Sequence, residues 1–154
     1  MSSFIWTEQC RRGWRVANGE WRMANGELGM ASGSIQSYRD LRVWQEGMAL
    51  AKNGYLVTRS FPREEQFGLT SQIRRAATSI PANIAEGHGR ESTGEFVHSL
   101  RIAQGSLKEL ETHLVLAVEV GISEDETIKP LLIQADQLGR MLRTLIRSLQ
   151  MKRA

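Results

Sequence analysis

The sequence predicts an all-α protein, an antiparallel up-down four-helix bundle over residues 37–154 that follows a low-complexity segment at 1–36. Three observations carry that prediction. Apolar residues recur in steps of three and four through four long stretches, which is the period of a helix face. Capping residues, glycines and prolines punctuate those stretches where helices start and stop. No alternating pattern of the kind that makes strands competes with them.

The first 36 residues differ in composition from the rest, holding 5 of the 14 Gly and 3 of the 4 Trp. They contain a tandem repeat, WRVANGE at 14–20 and WRMANGE at 21–27, with a decayed copy LGMASGS at 28–34. Each unit carries Asn-Gly or Ser-Gly, which favours turns and interrupts helices. Two units are too few for a solenoid. The expectation is a disordered tail without a core. One alternative is a Trp/Arg arm that stacks on bases or docks on a partner. Another is translated upstream DNA, with Met30 as the natural start, and intact residues 1–29 on natively expressed protein would refute it.

The first helix is predicted over Tyr38–Ser60, with Ser37 as N-cap and Asp40 near the positive helix end. Leu41, Trp44, Met48, Ala51, Tyr55 and Thr58 form one stripe, and Phe61-Pro62 ends the helix. The second helix lies within 63–86, with Leu69, Ile73, Ala76, Ile80 and Ile84 on one face. Pro81 is expected to kink or restart it, and Gly87 and Gly89 to stop it. The third helix opens at a Ser92–Glu95 capping box. Its seam runs Phe96, Leu100, Ala103, Leu107, Leu110, Leu114, Ala117 and Gly121. The fourth opens at Ser123-Glu124-Asp125-Glu126 and carries Leu131, Ala135, Leu138, Leu142, Leu145 and Leu149, with Pro130 near its first turn. The short gap between the third and fourth helices sets them antiparallel.

A chain of 154 residues suits one domain. The single cysteine, Cys10, rules out a disulfide framework and a Cys-rich zinc site. No run of about 18 apolar residues suggests a membrane span. The opening MSSFIWTEQCRRGW lacks a signal-peptide pattern, so a cytoplasmic protein with no membrane partner is expected. The formal net charge of +3 permits nucleic-acid binding without demanding it.

The first helix carries a second apolar row, Val43, Gly47, Leu50, Gly54 and Val57. Two glycines on one helical row mark the close approach of another helix. The row is assigned to a homo-oligomer interface, and Ile102, Leu116 and Val120 lie similarly off the seam of the third helix. The alternative is a wide buried face within one bundle.

Catalytic chemistry is sparse. Glu95-Phe96-Val97-His98 has the Glu-x-x-His spacing of di-iron bundles, but such sites need two copies and two further glutamates. His88, His113 and Cys10 lack partners in sequence, and Gly87-His88-Gly89-Arg90 is explained by a helix stop. No catalytic, metal or cofactor-binding residue is assigned, and no enzyme activity is expected. A metal-dependent bundle enzyme remains the remote alternative.

The basic residues say more. Lys129, Arg140, Arg143 and Arg147 lie opposite the leucine seam of the fourth helix, and no acid follows Asp136. Such a row suits either a solvated helix face or a phosphate-binding surface. Arg74, Arg75, Arg90, Arg101, Arg140, Arg143 and Arg147 are the candidate nucleic-acid-binding set.

Residues 67–90, FGLTSQIRRAATSIPANIAEGHGR, and 96–117, FVHSLRIAQGSLKELETHLVLA, resemble a bacterial four-helix-bundle family. Its members are encoded in intervening sequences of 23S ribosomal RNA genes, and it includes the accessory variability protein of diversity-generating retroelements. The resemblance spans about 38–150 and implies a cyclic homopentamer without enzymatic activity. In the retroelement branch it implies RNA or DNA and a reverse transcriptase as partners. Asn83 and Glu86 are expected to satisfy backbone groups freed by Ser79-Ile80-Pro81. The alternative function is a protein–protein scaffold with no nucleic-acid role.

Overall fold

The computed structural model describes residues 35–153 and two short strands at 14–17 and 20–23. The chain forms two units, Met1–Ser34 and Ile35–Ala154. In the first, β1 (Trp14–Ala17) pairs antiparallel with β2 (Glu20–Met23), Trp14 opposite Met23 and Ala17 opposite Glu20. The residues between the strands are Asn18-Gly19, the dipeptide that favours two-residue hairpin connections. The repeat thus yields a strand pair in a segment for which a disordered tail was the expectation. The remaining residues of 1–34, with the proposed start at Met30, lie outside the described residues.

The second unit is all-α, with four helices. A 3-10 turn at Tyr38–Asp40 precedes α1 (Arg42–Thr58), and another at Arg63–Phe67 precedes α2 (Leu69–Gly89). They are followed by α3 (Thr93–Glu119) and α4 (Asp125–Arg153). Ser37 and Asp40 form the expected capping box, but it caps the 3-10 turn: Asp40 Oδ2 accepts from the Ser37 N–H at 3.0 Å. The Ser92 hydroxyl accepts from the Glu95 N–H at the start of α3. Gly121, at φ 75°, ends α3 where the Ile122 and Ser123 N–H groups both reach the Ala117 carbonyl.

Each helix packs against two neighbours: α1 on α2 and α4, and α3 on α2 and α4. Connections at 90–92 and 120–124 are too short for anything but antiparallel neighbours. The core is filled by the seams read from the sequence. Leu100, Ala103, Leu107, Leu110, Leu114 and Ala117 of α3 are buried, as are Leu131, Ala135, Leu138 and Leu142 of α4. Ile146 joins them, while Leu145 and Leu149 pack at the margin.

The assignment of Val43, Gly47, Leu50, Gly54 and Val57 to an oligomer interface is overturned, because this row is buried inside the single chain. Its close partner is α2. A Cβ on Gly47 would stand 3.5 Å from Ile80 and Pro81, and one on Gly54 would stand 3.4 Å from Ala77. The glycines do mark a close helix approach, but the approaching helix is the next one in the chain. The row assigned to the core instead splits: Leu41, Ala51 and Thr58 are buried, while Met48 and Tyr55 face outward.

Pro81 does not restart α2, which runs unbroken through it. Its ring is buried in the Gly47 contact, and the Asn83 side chain donates to the Ser79 carbonyl at 2.8 Å. Glu86 plays no part there; it pairs with Arg90 at 2.6 Å. Gly87 is not a helix stop either, since it is buried within α2 against Ser99.

Candidate functional site

The seven candidate arginines divide by the company they keep. Arg74 is a structural residue: its Nε donates to the Thr58 hydroxyl at 2.9 Å, and its guanidinium lies 4.8 Å from the Tyr55 ring centroid. This ties α2 to α1 and fixes the half-buried side chain in place, though neither contact neutralises its charge. Arg75 bonds Glu109 of α3 at 3.0 Å. Arg90 meets Glu86 and Glu95, and those two carboxylates, Glu86 first, hold its pKa above the ordinary guanidinium value. Arg140 pairs with Asp136 at 2.9 Å. Exposed pairs of this kind add little stability, but they do reduce the local positive field.

Arg101, Arg143 and Arg147 are exposed and have no carboxylate partner among the described residues. The fold brings them to one side. A Cβ on Gly139 would stand 3.4 Å from Leu107, and Val115 lines one cleft with Leu132 and Asp136. That antiparallel register sets Arg101 of α3 at the level of Arg143 and Arg147 of α4. The three unpaired guanidinium groups therefore share the α3/α4 face, with the paired Arg140 one turn away along α4.

The same helix is electrically polarised. Its first turn holds Asp125 and Glu126, which suit the positive end of the helix dipole. Apart from Lys129, the cations of the helix lie in its second half. A cleft at that end is lined by Thr144, Arg147, Ser148, Met151 and Lys152. The two hydroxyls were not singled out from sequence, although their i, i+4 spacing around Arg147 places them on the same face. The Thr144 hydroxyl donates to the Arg140 carbonyl at 3.0 Å, while Ser148 makes no hydrogen bond to another described side chain.

The remaining polar candidates that the structure describes stand in separate surroundings. Glu95 is held by Arg90 rather than joined to His98. His88 stacks edge-on against Phe96, with ring centroids 5.8 Å apart. His113 has Nε2 3.6 Å from Glu109 and a buried Nδ1 with no partner. Among the described residues, no three His, Cys, Asp or Glu groups cluster as metal ligands would. No described helix is long and apolar enough to cross a membrane.

Residues 39–144 match the family described as 23S rRNA-intervening sequence protein. Among solved structures, the chain is similar to a protein of unknown function from the S23 ribosomal protein family of Bacteroides thetaiotaomicron. The two share 24% sequence identity at a TM-score of 0.61, covering 68% of this chain and 97% of the other. That likeness bears on the fold alone. No curated protein matches the chain.

Proposed function

Given that the chain belongs to the 23S rRNA-intervening sequence protein family, we propose that it is a non-enzymatic, self-assembling protein that binds nucleic acid. The α3/α4 face holds the phosphate backbone in this reading. The observation that carries it is the grouping of Arg101, Arg143 and Arg147, exposed and without carboxylate partners, on one side of two packed helices. Unpaired guanidinium groups are the side chains best suited to phosphate oxygens, which they can engage with two hydrogen bonds. Assembly multiplies the effect, because each copy in a ring repeats the same three charges. The ring is a homo-oligomer, with five copies the number that the family resemblance implies. A reverse transcriptase is the further partner on the retroelement branch, and the protein works in the cytoplasm.

Among the described residues of the bundle, the exposed aromatics, Tyr55 and Phe67, lie on α1 and on the turn before α2, so the α3/α4 face has no aromatic platform there. Binding in this reading is therefore to backbone charge rather than to stacked bases, and it is weakly selective for sequence. An electrophoretic shift with a structured RNA and a DNA duplex tests it. The full chain shifts both at low salt and releases them as salt rises. Failure to shift either at low ionic strength contradicts it.

The second reading is a protein–protein scaffold, favoured by the exposed apolar side chains of α1 and α3. It predicts salt-insensitive capture of a protein and no shift of nucleic acid.

A further inference from the structure

The cleft at the cation-bearing end of α4 offers more than charge. It is lined by Thr144, Arg147, Ser148, Met151 and Lys152. Arg147 is one of the three unpaired guanidinium groups of the α3/α4 face. Lys152 is likewise exposed, without a carboxylate partner among the described residues. The cleft also holds two hydroxyls with different capacities. The Thr144 hydroxyl already donates to the Arg140 carbonyl at 3.0 Å, so toward a ligand it can only accept. The Ser148 hydroxyl is exposed and has no hydrogen-bond partner among the described residues, so it is free to donate. Met151, 78% exposed, gives the cleft an apolar wall.

A group that suits this cleft is uncharged, donates one hydrogen bond, accepts another, and has anionic groups on either side. A phosphate oxygen accepts but cannot donate, so it would set its charge against the lone pairs of Thr144. The cleft also lies close to the last turn of α4, the negative end of the helix dipole, which disfavours an anion centred there. A ribose 2′-hydroxyl meets every condition. It is neutral, it is both donor and acceptor, and it stands between successive phosphates of one strand. Deoxyribose has no such group.

The relief of the face points the same way. α4 lies between two neighbours: a Cβ on Gly139 would stand 3.4 Å from Leu107 of α3, and Asn53 of α1 donates to Gln134 at 2.8 Å. A DNA major groove about 12 Å wide admits one helix of about 10–12 Å diameter, but not a helix flanked on both sides. The minor groove of B-DNA, about 6 Å wide, admits none. The minor groove of A-form RNA is wide and shallow and displays its 2′-hydroxyls, so the side of a bundle can lie along it. We infer that the nucleic acid of the α3/α4 face is duplex RNA, and that Thr144 and Ser148 recognise it through a ribose 2′-hydroxyl. That hydroxyl donates to Thr144 Oγ1 and accepts from Ser148 Oγ, while Arg147 and Lys152 take the phosphates on either side. Arg101 and Arg143 hold phosphate further along the face. This names the substrate class of the site proposed above and rests on that reading.

The test compares three duplexes of one sequence: RNA, DNA, and RNA with fluorine in place of every 2′-hydroxyl, which keeps the A-form but cannot donate. Binding to the full chain is read by fluorescence anisotropy for wild type, Ser148→Ala and Thr144→Val, with helical content checked by circular dichroism. Both substitutions fall at exposed helical positions and leave every cation in place. At low salt, wild type is expected to bind RNA about 3–10-fold more tightly than DNA or the fluorinated duplex, the size of one or two net hydrogen bonds. Each variant is expected to lose most of that preference by weakening RNA alone, with DNA affinity and the salt slope unchanged. Equal affinity of wild type for RNA and DNA overturns the inference and leaves the nucleic-acid reading intact. Fluorinated RNA bound as tightly as RNA overturns it too. So does a variant that weakens RNA and DNA equally, since the cleft would then hold a phosphate. Wild type that binds none of the three duplexes refutes the function proposed above, and this inference with it.

Discussion

Gly87 of α2 approaches Ser99 of α3 so closely that a Cβ on the glycine would stand 2.5 Å from the serine Cβ and 2.9 Å from its Oγ. Both atoms belong to a short, buried side chain that cannot swing aside. The glycine therefore sets how near α2 and α3 can come. Gly87→Ala is expected to destabilise the bundle by about 1–3 kcal/mol through overpacking. Gly105→Ala is its control: that glycine is helical and has nothing within 4 Å of a Cβ. It should gain about 0.5–1 kcal/mol from helix propensity. Thermal melts of the two variants in opposite directions support the account. A Gly87→Ala melt at or above wild type goes against it.

Burial of the glycine row makes a second prediction. A Cβ at Gly54 already stands 3.4 Å from the Ala77 Cβ, so the further carbons of a leucine have no room. Gly54→Leu should cost about 1–3 kcal/mol or more, read by urea denaturation. Were the row an interface between copies, the same substitution would lower the mass and leave the stability of the single chain alone.

A third concerns the polar contact that ties α2 to α3. The Ser79 and Ser106 hydroxyls are 2.8 Å apart, and Asn83 donates to both the carbonyl and the hydroxyl of Ser79. Ser79→Ala leaves the Ser106 hydroxyl, in a buried residue, without that partner and removes one acceptor of Asn83. A loss of about 1–2 kcal/mol in urea denaturation is expected. A double variant with Ser106→Ala should lose less than the two single changes added together.

Arg74 separates structure from binding. Its stacking on Tyr55 and its bond to Thr58 predict that Arg74→Ala lowers stability by about 1 kcal/mol. Nucleic-acid affinity at matched folded fraction should stay unchanged. A normal melting temperature with weakened binding would return Arg74 to the interface.

How much of this could be read from the chain depends on the kind of fact. The seam from Leu100 to Ala117 was legible because apolar spacing and burial are the same signal along one helix. The row from Val43 to Val57 was equally legible as a row, but spacing does not say which helix covers it. The answer lay in Ile80, Pro81 and Ala77, which only the packing brings near. Pro81 was misread for a related reason. The rule that proline breaks helices takes no account of packing, whereas here the helix runs on through a ring that fills a glycine notch, and Asn83 donates to Ser79 rather than to the Ala77 carbonyl that the missing N–H leaves free. Among the arginines, the pairs of Arg90 with Glu86 and Arg140 with Asp136 were readable as i, i+4 neighbours. The pair of Arg75 with Glu109 crosses 34 residues and was not. Setting aside the three arginines paired with carboxylates, and Arg74, which is held by Thr58 and Tyr55, turned a dispersed set of seven into a site of three.

The most direct measurement is the salt dependence of nucleic-acid binding by an Arg101/Arg143/Arg147→Ala variant beside an Arg75/Arg90→Ala variant and wild type. Binding of an RNA stem is followed from low to physiological salt by fluorescence anisotropy. Loss of three phosphate contacts should reduce the slope of log K against log salt by about 2–3 per bound copy. The pair of substitutions at already neutralised arginines should leave the slope near wild type. Equal slopes for the triple variant and wild type, or no binding by wild type at low salt, would contradict the assignment of the α3/α4 face.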